Sequence, residues 1–294
     1  VTDAVSSSEV VQINGLDVVR RTVPCGTVRL RCHDVGSGAP VVLLHGGGPG
    51  ASALGNFAGN LPELSKHFRV LAVDLPGYGG SDKPVYDGPY QPFAADSVAA
   101  LLDALEVPKA AVIGNSLGGG VALHLALGHA AKVDKLVLIG AAGGSPSFIV
   151  PSPSEGTRHL TGFYAPPGPS PERMEAFMRV MLYDQALITP EMVQSRFAEA
   201  VVDEVRVGVE RVYAALAGGA SVTGEQLWKR VDEVKHPTLL VWGRDDRMLP
   251  LDGGLYLLSR MGDARLHVFP RCGHWAQLEH RDAFNRLVTD FLSH

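Results

Sequence analysis

The sequence predicts a three-layer α/β fold: a central, mostly parallel sheet flanked by helices, with a helical cap inserted into it. Three observations carry this reading. Six short apolar runs, at 41–44, 69–74, 110–114, 135–140, 238–242 and 265–269, are rich in β-branched residues and nearly unbroken. Helix-like segments such as "PFAADSVAALLDAL" and "LGGGVALHLALGHA" fall between them. The alternation then fails between about residue 145 and residue 230.

Each observation has a physical reason. A strand with one wet face alternates apolar and polar residues, whereas these runs do not, so they read as strands buried on both faces of a parallel sheet. Strand alternating with helix is the pattern of crossover connections that keep neighbouring strands parallel. The irregular stretch opens with the Pro- and Ser-rich "SPSFIVPSPSEG" and "YAPPGPSP". It continues with helix-like "ERMEAFMRVMLYD", "TPEMVQSRFAEAVVDE" and "TGEQLWKRVDEV". Helices without intervening strands cannot extend a parallel sheet, so residues 145–230 are expected to form a cap between two parts of the core, 1–144 and 231–294.

Composition narrows the function. The 294 residues are 46% hydrophobic and 19% charged, which fits a globular chain with a large core. A net charge of -5 without a long basic run points away from nucleic acid and anionic membranes. No apolar stretch is long enough to span a bilayer. The polar opening "VTDAVSSSEVVQ" lacks a secretion signal. Cys25, Cys32 and Cys272 form an odd set without a C-x-x-C, and are expected to be reduced thiols of a cytoplasmic enzyme. The histidines and cysteines show no metal-ligand spacing, so neither metal nor organic cofactor is expected.

The strongest local signal is "VIGNSLGGG". Gly114-Asn115-Ser116-Leu117-Gly118 matches G-x-S-x-G between an apolar strand and a helix, the context in which that motif presents a nucleophile. A serine on so sharp a turn needs small residues two before and two after it. A serine hydroxyl also needs a base, and the base needs a carboxylate to fix its tautomer. On the α/β-hydrolase scaffold these follow in the order Ser, acid, His. "RDDRMLP" follows one late strand and "PRCGHWAQLEH" the next. Asp246, four residues before Pro250, is the expected acid, with Asp245 the alternative. His274 is the expected base. His267 falls inside a strand and His280 in the following helix.

"LLHGGGPGAS", "VDLPGYGGSDKP", "GNSLGGG", "WGRDDRMLPLDGG" and "HVFPRCGHWAQLEHRDAFNRLVTDFL" together resemble the meta-cleavage product hydrolases, from about residue 26 to the C-terminus. The resemblance includes the cap segment "MLYDQALITPEMVQSRF". It implies an α/β-hydrolase fold that cuts a carbon–carbon bond in 2-hydroxy-6-oxohexa-2,4-dienoates from aromatic catabolism, without a cofactor. It implies a triad of Ser116, Asp246 and His274, with Gly47 and Leu117 donating backbone N–H groups to an oxyanion. It further implies that Arg196 binds the C1 carboxylate and 2-oxo end, with Asn115, Asn56 and Trp275 as further contacts. Gly46 and Gly48 would give the Gly47 amide room to point inward. Met181, Met248 and Phe177 would line the pocket for the C6 substituent. The resemblance also implies self-association. An esterase or lactonase with the same triad would not need Arg196, and a receptor on the same fold would bind with little turnover. A phosphate-binding loop is excluded, because no Lys-Ser or Lys-Thr follows the glycines of "HGGGPGAS".

Overall fold

The computed structural model describes residues 7–143, 152–222 and 226–294, with side chains omitted for 218–222. Three strands open the chain: β1 (Ser7–Ile13), β2 (Leu16–Cys25) and β3 (Val28–Val35). They form an antiparallel meander. Then come β4 (Pro40–Leu44), the short helices α1 (Ala53–Phe57) and α2 (Leu61–Leu64), and β5 (Arg69–Val73). Two classical crossovers follow: α3 (Tyr90–Ala104), β6 (Ala110–Asn115), α4 (Leu117–Gly128) and β7 (Val133–Ile139). Four helices, α5 (Glu155–Gly162), α6 (Pro171–Met181), α7 (Pro190–Ala200) and α8 (Asp203–Val222), lie between β7 and β8 (Thr238–Gly243). The chain closes with α9 (Asp252–Arg260), β9 (Ala264–Phe269), α10 (Ala276–Glu279) and α11 (Arg281–Ser293).

The nine strands of the described residues form one sheet in the order β1-β2-β3-β5-β4-β6-β7-β8-β9. From β5 to β9 every pairing is parallel. Successive residues of the central strands enter opposite cores. Val42, Leu44, Val112, Leu136, Leu138, Leu240 and Trp242 join one apolar cluster. Val41, Leu43, Ile113, Val137, Ile139, Leu239 and Val241 join the other. Burial on both faces is why these strands read as unbroken apolar runs.

The six expected strands are all present, and the sheet has three more. β1 is largely exposed and the alternation of β2 mixes buried with half-buried positions. Neither has the unbroken apolar run of a central strand. Two expectations for the irregular stretch need correction. "TPEMVQSRFAEAVVDE" does not run as one helix. It breaks at the exposed, β-branched Val201-Val202, and α8 restarts with Asp203 and Glu204 in its first turn, where negative charge suits a helix N-terminus. "TGEQLWKRVDEV" lies partly outside the described residues. Its remainder makes two 3-10 turns, Leu227–Lys229 and Val231–Glu233. There Leu227, Val231 and Val234 are buried in the sheet core, so their spacing reflects anchoring rather than a free-standing helix. Residues 145–151 of the first Pro/Ser stretch also fall outside the described residues.

Candidate active site

The nucleophile turn comes first. Ser116 follows β6 with φ 53° and ψ -115°, a left-handed conformation that costs a non-glycine residue energy. The turn is held by neighbouring backbone: Ser116 N–H donates to Ile139 O at 2.8 Å. A side chain on Gly114 would collide with the Gly118 carbonyl, and one on Gly118 with the Leu44 carbonyl. Both glycines of the motif are therefore required by close backbone approach. α4 begins at Leu117, so its N-terminal amides gather beside the hydroxyl.

His274 and Asp246 arrive from the loops after β9 and β8. His274 Nδ1 lies 2.7 Å from Asp246 Oδ2, and both side chains are buried. Asp246 Oδ1 accepts from Met248 N–H at 2.8 Å and Leu249 N–H at 2.9 Å. The carboxylate is thus saturated with donors and holds the proton of the imidazole on Nδ1. Nε2 is left without a hydrogen-bond partner, and His274 lines the same chamber as Ser116. Asp245 turns away: it pairs with Arg244 and accepts from Cys272 N–H. His267 packs edge-on against Phe269 in β9. His280 sits at the junction of α10 and α11 rather than within a helix, stacked on Phe269.

The glycine turn after β4 is fixed by several groups, of which the sequence reading named only Asn56, as a substrate contact. His45 Nδ1 donates to Gly46 O at 2.7 Å, and its Nε2 accepts from Leu75 N–H at 2.9 Å. Burial lowers the pKa of His45, which keeps the ring in this neutral tautomer. A trans peptide points its N–H opposite to its C=O. The Gly46 carbonyl faces the His45 ring, so the Gly47 N–H of the same peptide faces away from it. Gly46 N–H donates to Asn56 Oδ1 at 3.0 Å. The Gly47 carbonyl accepts from two tyrosines, Tyr78 at 3.0 Å and Tyr213 at 2.9 Å. Asp74 accepts from Ala53 N–H at 2.7 Å and so anchors α1, which carries Asn56.

These groups surround one cavity of ≈ 270 Å³. Ser116, Leu117, His274, Asn56, Trp275, Gly46, Gly47, Gly48, Met181, Met248, Phe177 and Arg196 all line it. Asp246 stands behind His274. Asn115 is the exception among the expected contacts. It is fully buried and outside the lining, its Nδ2 donating to Ile139 O at 3.1 Å and His274 O at 3.4 Å. It ties the nucleophile turn to the histidine loop. Lining residues without a sequence signal include Gln91, Leu160, Tyr213 and Leu216.

Arg196 projects from α7. Its guanidinium carbon lies 4.8 Å from the Trp275 ring centre and 5.8 Å from that of Phe177. Its Nε is buried and unpartnered, and among the described residues no carboxylate pairs with it. Burial pulls its pKa down to about 10, which still leaves a cation at neutral pH. A planar cation held on aromatic faces, with its fork free, is suited to a carboxylate ligand.

A model of the alpha/beta hydrolase fold matches residues 40–281. The chain is 41% identical over 266 residues to a 2-hydroxy-6-oxo-6-phenylhexa-2,4-dienoate hydrolase of Burkholderia cepacia, covering 90% of this chain and 91% of that protein. It belongs to the meta-cleavage product hydrolases, a family of α/β hydrolases. A second member of the family, a 2-hydroxy-6-oxononadienedioate/2-hydroxy-6-oxononatrienedioate hydrolase of Comamonas testosteroni, is 42% identical over 268 residues and covers 90% of this chain and 91% of its own. Among solved structures, the 2-hydroxy-6-oxo-6-phenylhexa-2,4-dienoate hydrolase from Rhodococcus sp. strain RHA1 superposes with a TM-score of 0.86 at 31% identity, covering 95% of this chain and 100% of that one. The meta-cleavage product hydrolase from Pseudomonas fluorescens IP01 gives a TM-score of 0.81 at 35% identity, covering 92% and 97%.

Proposed function

We propose that this chain is a serine-dependent hydrolase that cleaves the C5–C6 bond of 2-hydroxy-6-oxohexa-2,4-dienoates. The products are 2-hydroxypenta-2,4-dienoate and the carboxylic acid carrying the C6 substituent. One observation carries the reading: a single chamber joins a strained serine, a carboxylate-held histidine and a cap guanidinium without a carboxylate partner among the described residues.

Arg196 takes the C1 carboxylate, with Asn56 and Trp275 beside it. The dienol then ketonises: the 2-hydroxyl proton is lost and a proton is delivered to C5, with His274 assisting transfer. Ser116 Oγ attacks the C6 carbonyl as His274 Nε2 takes its proton. The Gly47 and Leu117 N–H groups stabilise the oxyanion. Collapse breaks C5–C6, the electron pair flows through the 2-oxo system to a dienolate, and His274 Nε2–H passes the serine proton to its 2-oxygen, which releases 2-hydroxypenta-2,4-dienoate and leaves His274 neutral. Water, deprotonated by His274, hydrolyses the acyl-Ser116 ester and releases the acid.

The core is read as 1–144 and 231–294, and the cap as 145–230, with Met181, Met248 and Phe177 as walls around the substrate. Self-association and a cytoplasmic site belong to the same reading; the latter is supported by three buried, unpaired cysteines. No helix among the described residues is long and apolar enough to cross a membrane.

The test uses a yellow 2-hydroxy-6-oxo-6-phenylhexadienoate and p-nitrophenyl acetate. Catalytic loss of dienolate colour is expected, and Ser116→Ala should abolish it while keeping dienoate binding. Fast ester turnover with an unchanged dienolate spectrum would refute the proposal.

A further inference from the structure

The two ends of the cavity differ in charge, and the sheet order says which end is which. Ser116 follows β6, which lies between β4 and β7. On the β4 side, a Cβ on Gly48 would stand 3.0 Å from an Arg196 guanidinium nitrogen. On the β7 side, a Cβ on Gly143 would stand 3.4 Å from Gln91 Oε1. Arg196 and Gln91 therefore flank the nucleophile from opposite sides. A dienoate whose C1 carboxylate rests on Arg196, and whose C6 lies at Ser116, projects its C6 substituent toward Gln91.

Beyond Arg196, the cavity lining includes the apolar Ala142, Leu160, Leu216, Met248 and Leu249, and Gln91 is its neutral polar member beside Gly143. The Gln91 amide has no hydrogen-bond partner among the described residues. Arg196 is the cavity's one Lys or Arg side chain among those residues. Residues 1–6, 144–151 and 218–225 carry no lysine, arginine or histidine in sequence. A second carboxylate at the far end would leave water for apolar walls and a single amide, without a cation to compensate.

We propose that this site is restricted to dienoates whose C6 substituent is uncharged, and that Gln91 is the specificity-determining residue. The inference rests on the dienoate-hydrolase reading above. It is not contained in the relatives, because proteins at 41% identity include one named for a 6-phenyl substrate and one named for a dioate.

The experiment measures kcat/KM for the 6-phenyl dienoate and for 2-hydroxy-6-oxononadienedioate. The phenyl substrate should be favoured by about 100-fold or more. A ratio near one, or a preference for the dioate, overturns the inference while leaving the dienoate-hydrolase reading intact. Turnover of neither sinks that reading, and this inference with it. Gln91→Arg and Gln91→Lys should each shift the ratio toward the dioate by at least about tenfold, by supplying the missing cation. If both variants keep the wild-type circular dichroism spectrum and the wild-type ratio, Gln91 is not the determinant.

Discussion

At the scale of single residues, the acid's choice between neighbours is decided by hydrogen bonds. Asp246 spends one oxygen on two backbone amides and the other on His274, whereas Asp245 spends its own on Arg244 and Cys272. Replacing Asp246 by Asn would offer Nδ1 a donor where it now meets an acceptor, and would favour the wrong tautomer. We expect Asp246→Asn to lower kcat on the dienoate by roughly three to four orders of magnitude with KM little changed. A loss under tenfold would remove Asp246 from the mechanism. Ser116, Asp246 and His274 were legible because their chemistry dictates chain order and flanking glycines. Asn115 stands outside the cavity lining, because its Nδ2 is spent on the Ile139 and His274 carbonyls, a use of the side chain that a motif beside a nucleophile does not announce. His45 left no signal at all: its work is done through the peptide between Gly46 and Gly47, and no motif announces a hydrogen bond to backbone.

At the scale of elements, the segment between β7 and β8 is tied to the glycine turn and the histidine loop by three links. Met181 O, at the end of α6, accepts from His274 N–H at 2.7 Å. Glu279 in α10 accepts from Tyr183 and Asp184 N–H on the same segment and from Gly273 N–H beside the histidine. Tyr213 on α8 reaches across to the Gly47 carbonyl. Tyr213 is thus a positioning residue. Tyr213→Phe removes about 1 kcal/mol of neutral hydrogen bonding, which corresponds to a kcat about fivefold lower if the loss falls on the oxyanion turn. The expected split is in kcat rather than KM, and a change confined to KM would show that the tyrosine shapes binding only. The central strands were legible from their unbroken apolar runs. β1 to β3 were not, since β1 is an exposed edge strand and the charged residues Arg20, Arg21, Arg29, Arg31 and Asp34 interrupt the apolar pattern of β2 and β3. The break between α7 and α8 was equally hidden, because a helical period continues through Val201-Val202 even where the backbone does not.

At the scale of the whole molecule, several histidines are folded into places that refuse a proton. Burial lowers the pKa of His33 and His45, and burial together with Arg230 brings His124 to about 4. The unfolded chain binds protons near the ordinary histidine value of 6.5, so it holds more of them than the folded chain below that pH. Stability should therefore fall as pH drops below 6.5. For His124 the loss continues to about 4, at no more than about 1.4 kcal/mol per pH unit. Urea melts at pH 7.5 and 5 test this, and His124→Gln should flatten the slope; an identical slope would exclude that histidine. The guanidinium seated on Trp275 and Phe177 has a different reach. Among the described residues no carboxylate pairs with Arg196, so a small carboxylate that enters the chamber would supply it with one. The acid released by each turnover is such a carboxylate. The same feature that selects the substrate should therefore make the enzyme sensitive to its own product, and benzoate at 100 times its dissociation constant should raise the unfolding free energy by about 2.7 kcal/mol. Thermal melts with and without benzoate measure that. In this protein, recognition, product inhibition and thermal stability would be three readings of one buried cation.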